Sequence, residues 1–270
     1  MKRTTIHITA LVLLIVAAVS GCGCKNRYLF HPYRQMVTVP AAIGLAFDDA
    51  YFTADDGVKL NGWWVPASSS RGTVLFCHGN AGNISFLIDT INIFHQMRFN
   101  VFVFDYRGYG RSGGKPSEEG TYKDAAAAWT YLVRTRNIAP RTIAVIGRSL
   151  GGPIAAWLCQ TRTPGALVLE STFTRAADVA LFHYRMAPAD LLFGDTYNAA
   201  GYLARVRCPV LVVHSPEDEI IPYNLGIKLF QAVQGPREFL QIHGSHNSGF
   251  LDSLNLYVPV LERFLLKNLK

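Results

Sequence analysis

The sequence predicts an α/β fold in which a mostly parallel sheet carries helices on both faces. Three observations lead there. From Thr73 onward, short continuous apolar runs alternate with stretches whose apolar residues recur at helical spacing. Strands that are apolar throughout belong to sheets covered on both sides. Half of the 270 residues are hydrophobic and only 17% are charged, a balance that supports a sizeable core and argues against disorder.

The elements follow in order. Residues 22–40 read as a linker, and 41–270 as the folded domain. "AFDDAYFTADDGVKLNGWWVPA" reads as two antiparallel strands turned through Asp55-Asp56-Gly57, with Val58, Leu60 and Trp64 on one face. "TVLFCH" is a strand, and Ile84, Leu87, Ile88, Ile91 and Phe94 form the stripe of the helix after it. "NVFVFDY" leads to a helix marked by Tyr122, Ala125, Ala126, Trp129, Leu132 and Val133. "TIAVIG" leads to the helix after Ser149. "ALVLES", "CPVLVVH" and "EFLQIHG" are further strands, and Leu251, Leu254, Val258, Leu261 and Leu265 mark the last helix. Residues 172–206 break the alternation. Phe173, Val179, Leu181, Phe182, Tyr184, Met186, Leu191, Leu192 and Phe193 make them an expected apolar cap, the plainer alternative being a main-layer helix with a long return loop.

The N-terminus reads as a signal. Lys2 and Arg3 precede an apolar run, Ile8 to Ala18, that is short for a membrane span. "VSGC" follows and resembles the lipobox of bacterial lipoproteins. That resemblance implies a signal peptide over 1–21, acylation of Cys22, and a lipid-anchored protein of the bacterial cell envelope. An ordinary secretory signal or an uncleaved anchor is the alternative. The formal charge of +7 falls to +5 without Lys2 and Arg3, which leaves 24 basic against 19 acidic residues. No basic block with interleaved aromatics suggests nucleic-acid binding. Cys24, Cys77, Cys159 and Cys208 have neither zinc-ligand nor disulfide-framework spacing and read as free thiols. No metal or cofactor is expected.

"IGRSLGGPIAAW" places one serine, Ser149, where a strand meets a helix, with Gly147, Gly151 and Gly152 around it. Binding sites in such sheets gather at the carboxyl ends of strands. A serine there becomes a nucleophile when a base takes its proton and a carboxylate orients the base. "VVHSPEDEIIP" offers Glu217, Asp218 and Glu219 at a later strand end, and "IHGSHNSGF" offers His246 at the last. The chain order serine, acid, histidine accompanies the G-x-S-x-G elbow. Leu150, directly after the serine at a helix N-terminus, presents a backbone N–H suited to holding an oxyanion.

From about Phe47 onward the chain resembles the α/β-hydrolases, especially compact membrane-anchored lipases and acyl thioesterases of that superfamily. The resemblance rests on "FCHGNAGN", "FDYRGYGRSGG", "GRSLGG", "PEDEIIP" and "GSHN", in that order. It implies that Ser149, Asp218 and His246 form a catalytic triad, with Glu217 and Glu219 as solvated neighbours. His243 is set aside because it is expected still to belong to the strand. The second oxyanion donor, by similarity, is the N–H of Asn80, a plain Asn-Ala-Gly turn being the alternative. His78 is expected to brace that loop, and "DYRGYGRSGG" to be a structural turn beside it. The implied activity is hydrolysis of acyl esters or thioesters, on small or lipid substrates, without a cofactor. A prolyl-oligopeptidase-like peptidase or aminopeptidase is the enzymatic alternative, and a non-catalytic envelope binding protein a more distant one.

Overall fold

The computed structural model describes residues 29–184 and 189–270, together with Asn26. The expected signal peptide, Cys22, Cys24 and Met186 lie outside the described residues.

Ten strands are described: β1 (His31–Pro32), β2 (Asp48–Thr53), β3 (Lys59–Val65), β4 (Thr73–Cys77), β5 (Ala81–Gly82), β6 (Asn100–Phe104), β7 (Ile143–Arg148), β8 (Ala166–Glu170), β9 (Val210–His214) and β10 (Arg237–Gln241). Eight of them form one sheet in the order β10-β9-β8-β7-β4-β6-β3-β2. β10 through β6 run parallel, while β3 is antiparallel to both β6 and β2. β7 therefore lies inside the sheet, between β4 and β8. The described helices are α1 (Ile88–Gln96), α2 (Glu118–Thr130), α3 (Gly151–Thr161), α4 (Ala176–Tyr184), α5 (Ala189–Phe193), α6 (Ala199–Leu203), α7 (Tyr223–Ala232), α8 (Gly249–Asp252) and α9 (Leu254–Asn268).

Alternate residues of the central strands feed two separate cores. Leu75, Phe102, Phe104 and Val145 pack with Trp129 of α2, Ile154 and Leu158 of α3, and Leu225 of α7. Phe76, Val101, Val103 and Ile146 face the other way, onto Phe94 of α1 and Leu261 and Phe264 of α9. The two-residue period of a strand thus serves a core on each side, which is why these strands read as unbroken apolar runs.

Three segments differ from the sequence reading. The first helix after β4 begins as a 3-10 turn, Ile84–Phe86, because the Asn83 side chain accepts the Ser85 N–H before α1 starts. The last helix is divided at Ser253, whose hydroxyl accepts the His243 N–H at 2.8 Å and donates to the His243 carbonyl at 3.1 Å. The segment expected as a linker is stitched to the body. β1 pairs with β5, and Asn83 donates to the carbonyls of Tyr33 and Gln35.

Within 172–206, the second half belongs to the main layer. Tyr197 is fully buried, and its N–H donates to the Glu118 carboxylate of α2 at 2.7 Å. α4 carries Leu181 and Phe182 outward into solvent. Cys77, Cys159 and Cys208 are free and buried, as the spacing suggests.

Candidate active site

The elbow is built from β7, β8 and the first turn of α3. Ser149 has φ +53°, the left-handed region that side chains with a Cβ rarely occupy. The strained angle therefore sits on the serine itself and not on the glycines around it. The glycines answer a different need, close approach. A Cβ on Gly147 would stand 2.6 Å from the Gly151 carbonyl carbon, and one on Gly151 would stand 2.8 Å from the His78 carbonyl oxygen. A Cβ on Gly152 would run into the Thr172 side chain. Three ties hold the turn: the Ser149 N–H donates to the Glu170 carbonyl at 2.9 Å, and the Ser149 carbonyl accepts from Gly152 N–H at 3.0 Å and Thr172 Oγ1 at 2.6 Å.

Beneath the elbow, Arg148 donates to Glu170 Oε2 at 2.9 Å and to Thr90 Oγ1 at 3.1 Å, with its guanidinium 3.7 Å from the centre of the Phe250 ring. Tyr257 donates to the other Glu170 oxygen. The partly buried arginine charge therefore has its carboxylate partner and an aromatic face.

The loops after β9 and β10 bring the other two residues to the serine. His246 Nε2 lies 3.0 Å from Ser149 Oγ. Its Nδ1 lies 3.0 and 2.9 Å from the two Asp218 oxygens. Asp218 Oδ1 also accepts the backbone N–H of Ile220 at 3.0 Å and of Ile221 at 2.7 Å. Burial works against this carboxylate's charge. Hydrogen bonds from His214 and His246 and the backbone N–H of Ile221 outweigh it, and hold Asp218 well below the usual carboxylate range.

Several contributors escaped the sequence reading. His214, the last residue of β9, is fully buried; its Nε2–H donates to the Ile221 carbonyl at 2.9 Å and stands 3.4 Å from Asp218 Oδ2. Asp218 thus lies between two histidines. A histidine closing an apolar strand four residues before the acid was the available signal. Glu217 and Glu219 do more than face solvent: Glu219 Oε2 accepts the His246 backbone N–H at 3.0 Å, and Glu217 Oε2 accepts that of Gly244 at 2.9 Å. His243 lies beyond the end of β10 rather than within it. Its exposed ring stands 3.5 Å from Glu217.

The loop after β4 closes the other side. A Cβ on Gly79 would sit 3.6 Å from the Ser149 Cβ, so the turn that carries Gly79 adjoins Ser149. Tyr106 donates to the His78 carbonyl at 3.0 Å and Tyr109 to the Asn80 carbonyl at 2.8 Å, while the His31 N–H donates to Asn80 Oδ1 at 3.2 Å. "DYRGYGRSGG" is therefore the structural turn that the sequence suggested. His78 is buried, and its Nδ1–H donates to the Gly79 carbonyl at 2.7 Å. Burial pulls His78 down to about 4 and pushes the neighbouring Asp105 carboxyl up to about 7. Leu150 follows Ser149 as the residue capping α3.

Residues 72–201 match the family model described as alpha/beta hydrolase fold. A Mycobacterium tuberculosis protein, Rv2307c, is 35% identical over 244 residues, which cover 89% of this chain and 87% of that one. The chain belongs to the alpha/beta hydrolase superfamily. Alpha/beta hydrolase domain-containing protein 17B of Xenopus laevis is 33% identical over 197 residues, 72% of this chain and 65% of its own length. The Pyrococcus furiosus esterase Pf2001 superposes with a TM-score of 0.74 at 19% identity, covering 90% of this chain and 98% of that one, a likeness of fold. The hydrolase sheet places Ser149, Asp218 and His246 at the ends of β7, β9 and β10, on the edge where this fold gathers its sites.

Proposed function

We propose that this hydrolase cleaves carboxylic esters or thioesters of acyl substrates, with Ser149 as nucleophile, His246 as base and Asp218 as the acid that orients it. One observation carries the reading: a strained serine, 3.0 Å from an imidazole whose other nitrogen is 2.9 Å from a buried carboxylate. Hydrogen-bond contact on both sides of the ring is what a proton relay requires.

Ser149 Oγ attacks the acyl carbonyl as its proton passes to His246 Nε2. Asp218 keeps the Nδ1–H in place and offsets the imidazolium charge. The oxyanion is held by the backbone N–H groups of Asn80 and Leu150, where correctly aimed donors lower the barrier by several kcal/mol. Collapse of the tetrahedral intermediate breaks the bond to the alkoxide or thiolate, which leaves with the proton from His246. Water then attacks the acyl-serine, giving its proton to His246, and Ser149 departs with that proton.

The same reading includes attachment to the bacterial envelope through a lipid on Cys22, supported by the apolar run Ile8 to Ala18 and the "VSGC" that follows it. Purified protein is to be profiled against esters, thioesters and aminoacyl amides beside Ser149→Ala. Turnover of esters or thioesters that the variant loses supports the reading; turnover confined to aminoacyl amides overturns the substrate class. Cys22→Ser should abolish incorporation of labelled fatty acid, and unchanged incorporation would refute the anchor.

A further inference from the structure

The N-terminal segment meets the folded body at the rim of the active site. Phe30 is buried with its ring 6.3 Å from that of Tyr197. The next residues run along the loop beside the serine, through the β1–β5 pairing, Tyr33 N–H to the Gly82 carbonyl at 3.2 Å, and Val37 N–H to Ser85 Oγ at 3.0 Å. Six residues, 23–28, separate Cys22, the proposed lipid site, from Leu29. Fully extended, that stretch spans at most about 25 Å. With the lipid on Cys22 inserted in the bilayer, the active-site rim is the part of the body tethered closest to it.

That rim is where exposed apolar side chains collect on both sides of Ser149. On the β4 side, Phe86 is 57% exposed and packs edge-on against the exposed Tyr33 at 5.9 Å, with exposed Val37 on the same stitched segment. On the β8 and β9 side, Leu181 and Phe182 of α4 are 55% and 53% exposed, and α4 is tied to the acid loop by His183 Nε2–H donating to the Ile220 carbonyl at 2.7 Å. Ile220 is exposed as well. Because β7 lies between β4 and β8, these two groups flank the nucleophile. Exposed apolar groups of this kind on one face mark contact with lipid or protein rather than water. The adjacent membrane-directed segment selects lipid.

We infer that the active-site rim is a lipid-docking surface: Tyr33, Val37 and Phe86 on one side and Leu181, Phe182 and Ile220 on the other enter the bilayer interface, so that Ser149 meets acyl groups delivered from the membrane. This rests on the reading of the N-terminus as a membrane anchor given above.

The test uses the mature protein, lipidated at Cys22, reconstituted in phosphatidylcholine–phosphatidylglycerol vesicles containing doxyl-labelled lipid. A bimane probe is placed through Phe86→Cys, Leu181→Cys or, as reference, Leu266→Cys, each with Cys24→Ser. Leu266 is exposed on the last turns of α9, whose end packs against Gly72 and Gly165 at the opposite edge of the sheet. Probes at 86 and 181 should be quenched about threefold or more above the probe at 266. Equal quenching at all three positions, or failure of the chain to partition with vesicles, overturns the inference. Phe86→Asp with Leu181→Asp should reduce turnover of a vesicle-embedded long-chain ester about tenfold while leaving a soluble short-chain ester unaffected. Equal turnover of the embedded ester by variant and wild type also overturns it. Selective quenching in a protein that cleaves no ester supports docking and refutes the hydrolase reading. Ester cleavage with flat quenching does the reverse.

Discussion

Asp218→Asn tests how the relay depends on its buried carboxylate. The substitution keeps the shape, and an Asn Oδ1 can still accept from Ile220 and Ile221. The NH2 group then faces His246 Nδ1, where Asp218 has an acceptor at 2.9 Å. Two penalties follow. With that contact, the charge centres of the carboxylate and a protonated ring stand roughly 4 Å apart, which is worth about 4 kcal/mol at an effective dielectric constant of about 20. That is about a thousandfold in rate. In addition, an amide donor favours the tautomer with the proton on Nε2, which cannot take the Ser149 proton. The expected result is a loss of about 10³ to 10⁴ in kcat with KM little changed, measured on a short soluble ester. The variant should also be less stable at neutral pH. Asp218 is held below its unfolded value, so its ionised form stabilises the fold above pH ~4, and that contribution is lost as pH falls through the folded value. Rates are therefore compared at a temperature where circular dichroism shows both proteins folded. A folded Asp218→Asn within tenfold of wild-type kcat would refute the reasoning.

Three further outcomes are expected. Gly151→Ala pushes a Cβ against the backbone of Cys77 and His78, so it should cost more than about 3 kcal/mol and lower Tm by roughly 6 °C or more, while Gly235→Ala, with open space around it, should leave Tm nearly unchanged. Asp105→Asn should gain stability relative to wild type as pH rises from about 4 to 7. Burial makes the folded protein hold a proton that the unfolded chain has released, so Asp105 costs wild-type stability across that window, by roughly 4 kcal/mol at most, and urea midpoints at the two ends read the difference. Glu219→Ala removes the acceptor of the His246 backbone N–H and should lower kcat about tenfold, whereas Glu219→Gln, which keeps an acceptor oxygen, should stay within about threefold.

The parts of this molecule that were legible in its sequence are those with a local physical signature. β4, β6, β7, β8 and β9 are covered on both faces, and their unbroken apolar runs say so. The elbow announces itself because close packing around Ser149, by backbone and by the Thr172 side chain, leaves no space for a Cβ at Gly147, Gly151 or Gly152. Asp218 and His246 could be placed because they follow strands at the edge where the serine lies. What stayed hidden depends on contacts between distant segments. Nothing local marks residues 31–37 as partners of the 80–86 loop, since a two-residue parallel pairing has no periodicity to read. His214 looked like the end of a strand until the fold set it beside Asp218. Glu219 looked like a solvated charge until the loop after β10 brought a backbone N–H to it. His243 was set aside for the wrong reason, since the strand ends at Gln241 and exposure on the far side of its loop is what separates it from the serine.

Covalent labelling of Ser149 tests the central claim most directly. Wild-type protein treated with a fluorophosphonate should gain the mass of one phosphonyl adduct, located by peptide mass spectrometry to Ser149, with ester hydrolysis lost in step. Ser149→Ala should neither label nor turn over. Ester hydrolysis that continues in Ser149→Ala, or an adduct found on a different residue of the active wild type, would contradict the account.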